Sequence, residues 1–244
     1  MDGGGFRAEW QLGGFYGLTG VETAEVSAGG LLSPGAFVPW PYEMNPSPIS
    51  KGILRSDPRG DEVAIWLAKE PKFGEGTVPV VEWELASRAA GGSRSAPQLI
   101  GKTRGEDINE TAVAITPTGR FTVVWTSAEK KQMVVGGVAG GPASSAMPLQ
   151  RHPTGFTESF QKLVLTTTGR VVAIWQAESG FPISKSFIEA ATSVDGIRFS
   201  APRRISPTHW CRDALLVPDR VGGALASWRC ERGRRANGYA CYRP

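Results

Sequence analysis

Five times along the chain a glycine is followed six residues later by a tryptophan. The copies are GGFRAEW (Gly4 to Trp10), GDEVAIW (Gly60 to Trp66), GRFTVVW (Gly119 to Trp125), GRVVAIW (Gly169 to Trp175) and GGALASW (Gly222 to Trp228). The Trp-to-Trp steps are 56, 59, 50 and 53 residues. Self-similarity at a near-constant period of this size belongs to arrays of like units, in which each unit buries its apolar faces against its neighbours. Five of the eight Trp residues are taken up by this one position, so they read as core.

Each copy has the same local grammar. A short apolar run (TAVAIT, KLVLTT, DALLVP) meets a turn rich in Pro, Thr, Asp or Gly, and a β-branched run then ends in Trp. Such runs predict an antiparallel hairpin of strands a and b, with the Gly taking the positive φ of the tight turn. The density of β-branched residues and the lack of a 3.6-residue period disfavour helix. A third run follows (VETAEV, VVEWELAS, QMVVGGVAG, SFIEAATS). Then come a small turn and a Ser/Ala/Pro element at 29–38, 91–100, 140–150 and 195–205. These give strand c and a short outer strand d, where an edge tolerates Pro. Four antiparallel strands in each of five radial units predict an all-β chain, a β-propeller forming one domain over 1–244. Its units lie near 1–40, 50–102, 110–150, 160–206 and 211–244. The first copy starts at its a–b turn and the last stops before a strand d. The expectation is therefore an excerpt of a six- or seven-bladed protein, with an irregular five-bladed ring as the alternative.

The stretch SVDGIRFSAP (Ser193 to Pro202) resembles the Asp-box of sialidase-type, BNR-repeat propellers, a Ser/Thr-x-Asp-x-Gly-x-x-Trp turn between strands c and d. Ser193, Asp195 and Gly196 are present, with the Gly one place early and Phe199 where the aromatic belongs. The resemblance to the sialidase-like propeller repeats of secreted bacterial proteins covers nearly the whole chain, and it implies fold more than activity. A sialidase would need three arginines on the substrate carboxylate, a Tyr–Glu nucleophile pair and an acid/base Asp. The family's Arg-Ile-Pro motif is absent, and RRISP at 203–207 reads as strand d. The four Tyr, at 16, 42, 239 and 242, lie in no nucleophile context. No catalytic residue is assigned.

Function is expected in the connections that do not repeat. The d–a connections, at 38–51, 101–111, 150–161 and 206–213, gather Trp40, Tyr42, Arg104, Asp107, Arg151, His152, His209, Trp210 and Arg212, with Glu43, Glu106, Glu158 and Asp213 beside them. Rings for stacking and forks for carboxylates are what a glycan, peptide or protein ligand needs. The expectation is a non-catalytic extracellular binding module, secreted or at the cell surface. A sialidase-like glycoside hydrolase or lyase acting on extracellular carbohydrate is the alternative. The net charge of +4 over 244 residues collects partly in the last stretch, which argues against nucleic acid as partner. No apolar run approaches a membrane span, and the first residues lack the basic head and apolar core of a signal peptide.

No cofactor or metal is expected. The glycines of GGVAGG (136–141) open no helix for a phosphate, DINET (107–111) lacks the pattern of a calcium loop, and ERGRR (231–235) reads as a solvated hairpin tip. NET (109–111) is a glycosylation sequon. The three Cys, at 211, 230 and 241, predict a local disulfide rather than a zinc site. Hairpin geometry sets Cys211 across from Cys230, or Cys230 across from Cys241.

Overall fold

The computed structural model describes residues 6–14, 17–26, 36–39, 52–67, 80–104, 111–129, 131–149, 156–179, 185–207, 210–219, 221–232 and 235–242. They form five antiparallel sheets in chain order. The first holds β1 (Phe6–Gly14), β2 (Gly17–Val26) and β3 (Ala36–Pro39). The second holds β4 (Gly52–Ser56), β5 (Glu62–Leu67), β6 (Val80–Arg88) and β7 (Gln98–Arg104). The third has β8 (Thr111–Ile115), β9 (Arg120–Thr126), β10 (Gln132–Val138) and β11 (Met147–Pro148). The fourth has β12 (Phe156–Leu165), β13 (Val171–Ser179), β14 (Lys185–Ser193) and β15 (Arg203–Arg204). The last has β16 (Trp210–Pro218), β17 (Ala224–Arg232) and β18 (Arg235–Tyr242). Each strand pairs with its neighbour in sequence, so the fold is the expected array of a–b–c–d meanders.

The repeated glycine turns the chain where expected. Gly60, Gly119, Gly169 and Gly222 have φ of 89°, 73°, 78° and 93°, a region closed to most side chains. A polar residue three places earlier completes each turn. The Thr116 hydroxyl accepts from the Arg120 amide at 3.0 Å, and Thr166 does the same for Arg170 at 3.1 Å. The Asp57 carboxylate accepts from the Asp61 amide at 3.0 Å, and Asp219 from Gly223 at 2.6 Å. Thr and Asp are interchangeable here because either places an oxygen over the turn amides.

The b strands β5 and β9 are almost wholly buried, because their sheets are covered on both faces. One face, here termed trailing, carries the repeat Trp, and the other is the leading face. Leading residues Val63, Ile65 and Trp83 of the second sheet form one core with trailing Phe121, Val123 and Trp125 of the third. Leading Val124 and Val134 of the third meet trailing Ala173 and Trp175 of the fourth. Leading Ile174 and Ile188 of the fourth meet trailing Cys211, Ala214 and Trp228 of the last. The core of the molecule is thus a series of inter-sheet layers. Polar ties register these layers: the Thr122 hydroxyl donates to the Gly196 carbonyl at 2.7 Å, and the Ser87 hydroxyl accepts from the Gly140 amide at 3.0 Å.

The inner strands β12 and β16 run further than the apolar runs KLVLTT and DALLVP. Both are bulged, between Ser159 and Lys162 and between Arg212 and Leu215. In each case two residues of the inner strand oppose one repeat Trp, Trp175 or Trp228. The extra residue breaks the two-residue alternation, which hides the start of the strand from pattern reading.

Candidate functional site

The a–b and c–d turns share one rim of the array, since the Asp61 carboxylate of an a–b turn accepts from the Ala90 amide of the c–d turn at 2.8 Å. That amide holds the Asp61 carboxyl below its usual range against the opposing effect of burial, with Arg59 and Asp57 adding to the lowering. The Asp195 turn on this rim is tightly built. Its carboxylate accepts from the amides of Arg198 at 2.8 Å and Ile197 at 2.9 Å and from the Ser193 hydroxyl at 2.9 Å. These donors, the Arg198 amide first, keep the Asp195 carboxyl low. Phe199 packs against the core layer that holds Trp175. Among the described residues the Asp61 and Asp195 carboxylates of this rim are thus engaged in holding turns and sheets.

The b–c and d–a connections leave from the opposite rim. There the Thr103 hydroxyl donates to the Thr126 carbonyl at 2.6 Å, and the Ala128 amide donates to the Lys102 carbonyl at 3.1 Å. Arg104, the last residue of β7, donates from Nε to the Ala128 carbonyl at 2.9 Å. Among the described residues its two terminal nitrogens have no partner, and the side chain is exposed. Beneath it the buried Gln132 donates from Nε2 to the Thr126 hydroxyl at 2.9 Å. The base of the rim is thus a fixed polar corner from which one guanidinium reaches out.

Two carboxylates near the repeat Trp residues are engaged with them. The Trp66 indole donates to Glu84 at 3.0 Å, and the Trp175 indole donates to Glu189 at 3.1 Å. Both follow from register, which sets each Glu directly opposite its Trp across the b–c pair.

Trp210 and Arg212 differ in place from the expectation. They belong to strand β16 and not to a d–a connection, and alternation puts them on the leading face of the last sheet. Trp210 is 48% exposed. Arg212 stands across from Arg229 in register, and the Arg229 guanidinium pairs with Asp213 at 2.7 Å. Asp213 is the one non-glycine described residue with positive φ, at 56°. It lies in the bulge, where the extra residue forces the left-handed conformation that Asp tolerates better than most. Arg229 was not anticipated; its place three residues before the end of β17 follows only from the observed register. Arg104 belongs to the second sheet and stands apart from this group. Trp40, Tyr42, Asp107, Arg151, His152 and His209 lie outside the described residues, as do Glu43 and Glu106.

Cys211 and Cys230 are register partners and form a disulfide across 19 residues of sequence. The alternative pairing is not formed: β17 and β18 pair with Arg232 opposite Arg235, a register that sets Cys230 opposite Gly238 and Cys241 opposite Ser227. Among the described residues no group of three or more His, Cys, Asp or Glu is placed to hold a metal ion.

No protein-family model and no curated protein sequence matches the chain. Solved structures do. The chain is similar to an α-L-arabinofuranosidase from Fusarium graminearum at TM-score 0.55 and 9% identity, covering 98% of this chain and 77% of that one. It is similar to an α-L-arabinanase from Penicillium chrysogenum, solved with arabinobiose, at TM-score 0.54 and 10% identity, with the same coverages of 98% and 77%. A polysaccharide lyase acting on ulvan, solved with a bound saccharide, matches at TM-score 0.51 and 9% identity over 99% of this chain and 66% of that one. The five meandering sheets and these likenesses together show a β-propeller, a fold this chain shares with carbohydrate-active hydrolases and a lyase.

Proposed function

We propose that this propeller is a secreted or cell-surface module that binds a glycan at the rim of the b–c and d–a connections, without turning it over. The observation that carries the reading is Arg104. Its guanidinium is anchored through Nε to the rim and offers its terminal nitrogens outward, the arrangement that grips a sugar hydroxyl pair or carboxylate in two directions. The likeness to propellers solved with arabinobiose and with an ulvan saccharide supports carbohydrate as the ligand class, by analogy of fold alone. The Cys211–Cys230 disulfide supports an oxidising compartment. The turn built on Ser193 and Asp195 supports kinship with Asp-box propellers.

Hydrolysis or lysis of such a glycan is the second reading, and the activities named for the structural neighbours favour it. Titration with arabino-oligosaccharides, ulvan oligosaccharides and a sialoside, alongside product analysis, separates the two. Binding with no product, weakened about tenfold or more by Arg104→Ala, is the expected result. Turnover that a single connection substitution abolishes moves the protein to the second reading. No binding to any of these glycans removes the ligand class.

A further inference from the structure

The place three residues past the repeat Trp keeps its position from copy to copy but not its residue: Gly13, Lys69, Ala128, Glu178 and Glu231 stand there. In the third sheet it lies on the rim of the b–c and d–a connections, where the Ala128 carbonyl anchors Arg104 at 2.9 Å. In the fourth sheet the same place is Glu178, one residue before the end of β13. The third and fourth sheets are neighbours, packed together through Val124 and Trp175. The guanidinium and this carboxylate are therefore set at one height on one rim.

Glu178 is held unlike the other acids. One of its oxygens accepts from the Gln176 side-chain amide at 2.5 Å, and Gln176 is itself only 6% exposed. The adjoining strand is fixed as well, since Ser186, opposite Glu178 in register, donates its hydroxyl to the Cys211 carbonyl at 3.0 Å. Every other carboxylate whose side chain is described meets a turn amide, a lysine or arginine, or an indole. Among the described residues Glu178 meets none of these, and its second oxygen has no partner, although the residue is partly buried. A carboxylate held in this way is purely an acceptor, open to hydroxyl donors and repelling acids.

We infer that Glu178 is the acceptor pole of the glycan site whose donor pole is Arg104, and that the glycan is a neutral one. The inference rests on the glycan reading of this rim and narrows it. A sugar hydroxyl donates and accepts at once, so a row of hydroxyls suits two poles of opposite sign. A uronate gains at Arg104 and loses at Glu178.

Calorimetric titration with a neutral arabino-oligosaccharide and a uronic-acid oligosaccharide of equal length tests this on the wild type, Arg104→Ala, Glu178→Gln and Glu178→Ala, each checked for native β content by circular dichroism. The wild type is expected to prefer the neutral glycan. Glu178→Gln, which keeps the size and removes the charge, should weaken neutral binding about tenfold and narrow or reverse that preference, and Glu178→Ala should weaken neutral binding at least as much. Both Glu178 variants binding the neutral glycan as the wild type does, while Arg104→Ala weakens it, overturns the inference and leaves the glycan reading standing. A wild type that prefers the uronate overturns it too. So does an equal loss of both glycans in Glu178→Gln, which would place the effect in the fold and not at the ligand. A wild type that binds neither glycan removes the glycan reading itself, and this inference with it.

Discussion

The Trp125 indole fills the space that a side chain at Gly101 would need: a Cβ added to Gly101 would lie 2.6 Å from Cζ2 of the ring. The two residues belong to adjacent sheets, so a large residue on one is fitted to a missing side chain on the other. Gly101→Ala is expected to destabilise the fold by about 1–3 kcal/mol through overpacking. Trp125→Ala should cost about 3–5 kcal/mol by leaving a cavity in the same layer. Urea unfolding followed by Trp fluorescence checks both. A Gly101→Ala protein as stable as the wild type would show that the layer is loosely packed.

The Cys211–Cys230 disulfide ties the inner strand to its neighbour beside the Asp213 bulge. Closing a loop of this length restricts the unfolded chain, an effect of about 3 kcal/mol. Replacing both cysteines by Ser, or adding reductant, should lower the thermal midpoint by several degrees, while Cys241→Ser should leave it unchanged. Calorimetry of the three proteins provides the check.

Asp61 and Asp195 titrate below their usual range in the folded protein, chiefly through the amides of Ala90 and Arg198. A carboxyl lowered by folding contributes stability that is full above its unfolded value, near 3.9, and is lost as the pH falls through the lower folded value. Stability should therefore drop between about pH 5 and pH 2, and Asp195→Asn should flatten part of that drop while lowering stability at neutral pH. Urea midpoints across this range would refute the assignment if both proteins fell in parallel.

Asp213 holds a φ of 56° in the bulge. A β-branched residue there should cost about 1–2 kcal/mol or more from backbone crowding alone, whereas Asp213→Gly should lose little beyond the pairing with Arg229. Comparing Asp213→Val with Asp213→Gly by thermal unfolding isolates the backbone contribution. Equal effects of the two would place the cost in the lost ion pair instead.

The scaffold was legible because its determinants are local and repeated. Gly119 and Gly169 mark turns, Trp125 and Trp175 close b strands, and Thr116 or Asp57 caps a hairpin, each readable within seven residues. The inner strands were legible only in part, since the bulges opposite Trp175 and Trp228 interrupt the alternation that betrays a strand. Trp210 and Arg212 therefore read as connection residues although they are paired in β16. The candidate site was least legible. Arg104 was found because it stands in a stretch that does not repeat, although the structure pairs it as the last residue of β7, whereas Arg229 gains meaning only from its register opposite Arg212, and the place of Cys241 opposite Ser227 only from the observed pairing of β17 with β18.

The disulfide lies wholly inside the last sheet, so it strengthens that sheet without fastening it to the rest. Along an array whose members touch only their neighbours, sheets can open one at a time, each as its own unit. The last sheet would then peel away as a folded leaf, its strands still stapled together and the Ile174–Trp228 layer opening to water. Hydrogen exchange would see this as a group of amides in the fourth-to-last interface exchanging together, ahead of those in the layers around Trp83 and Trp125.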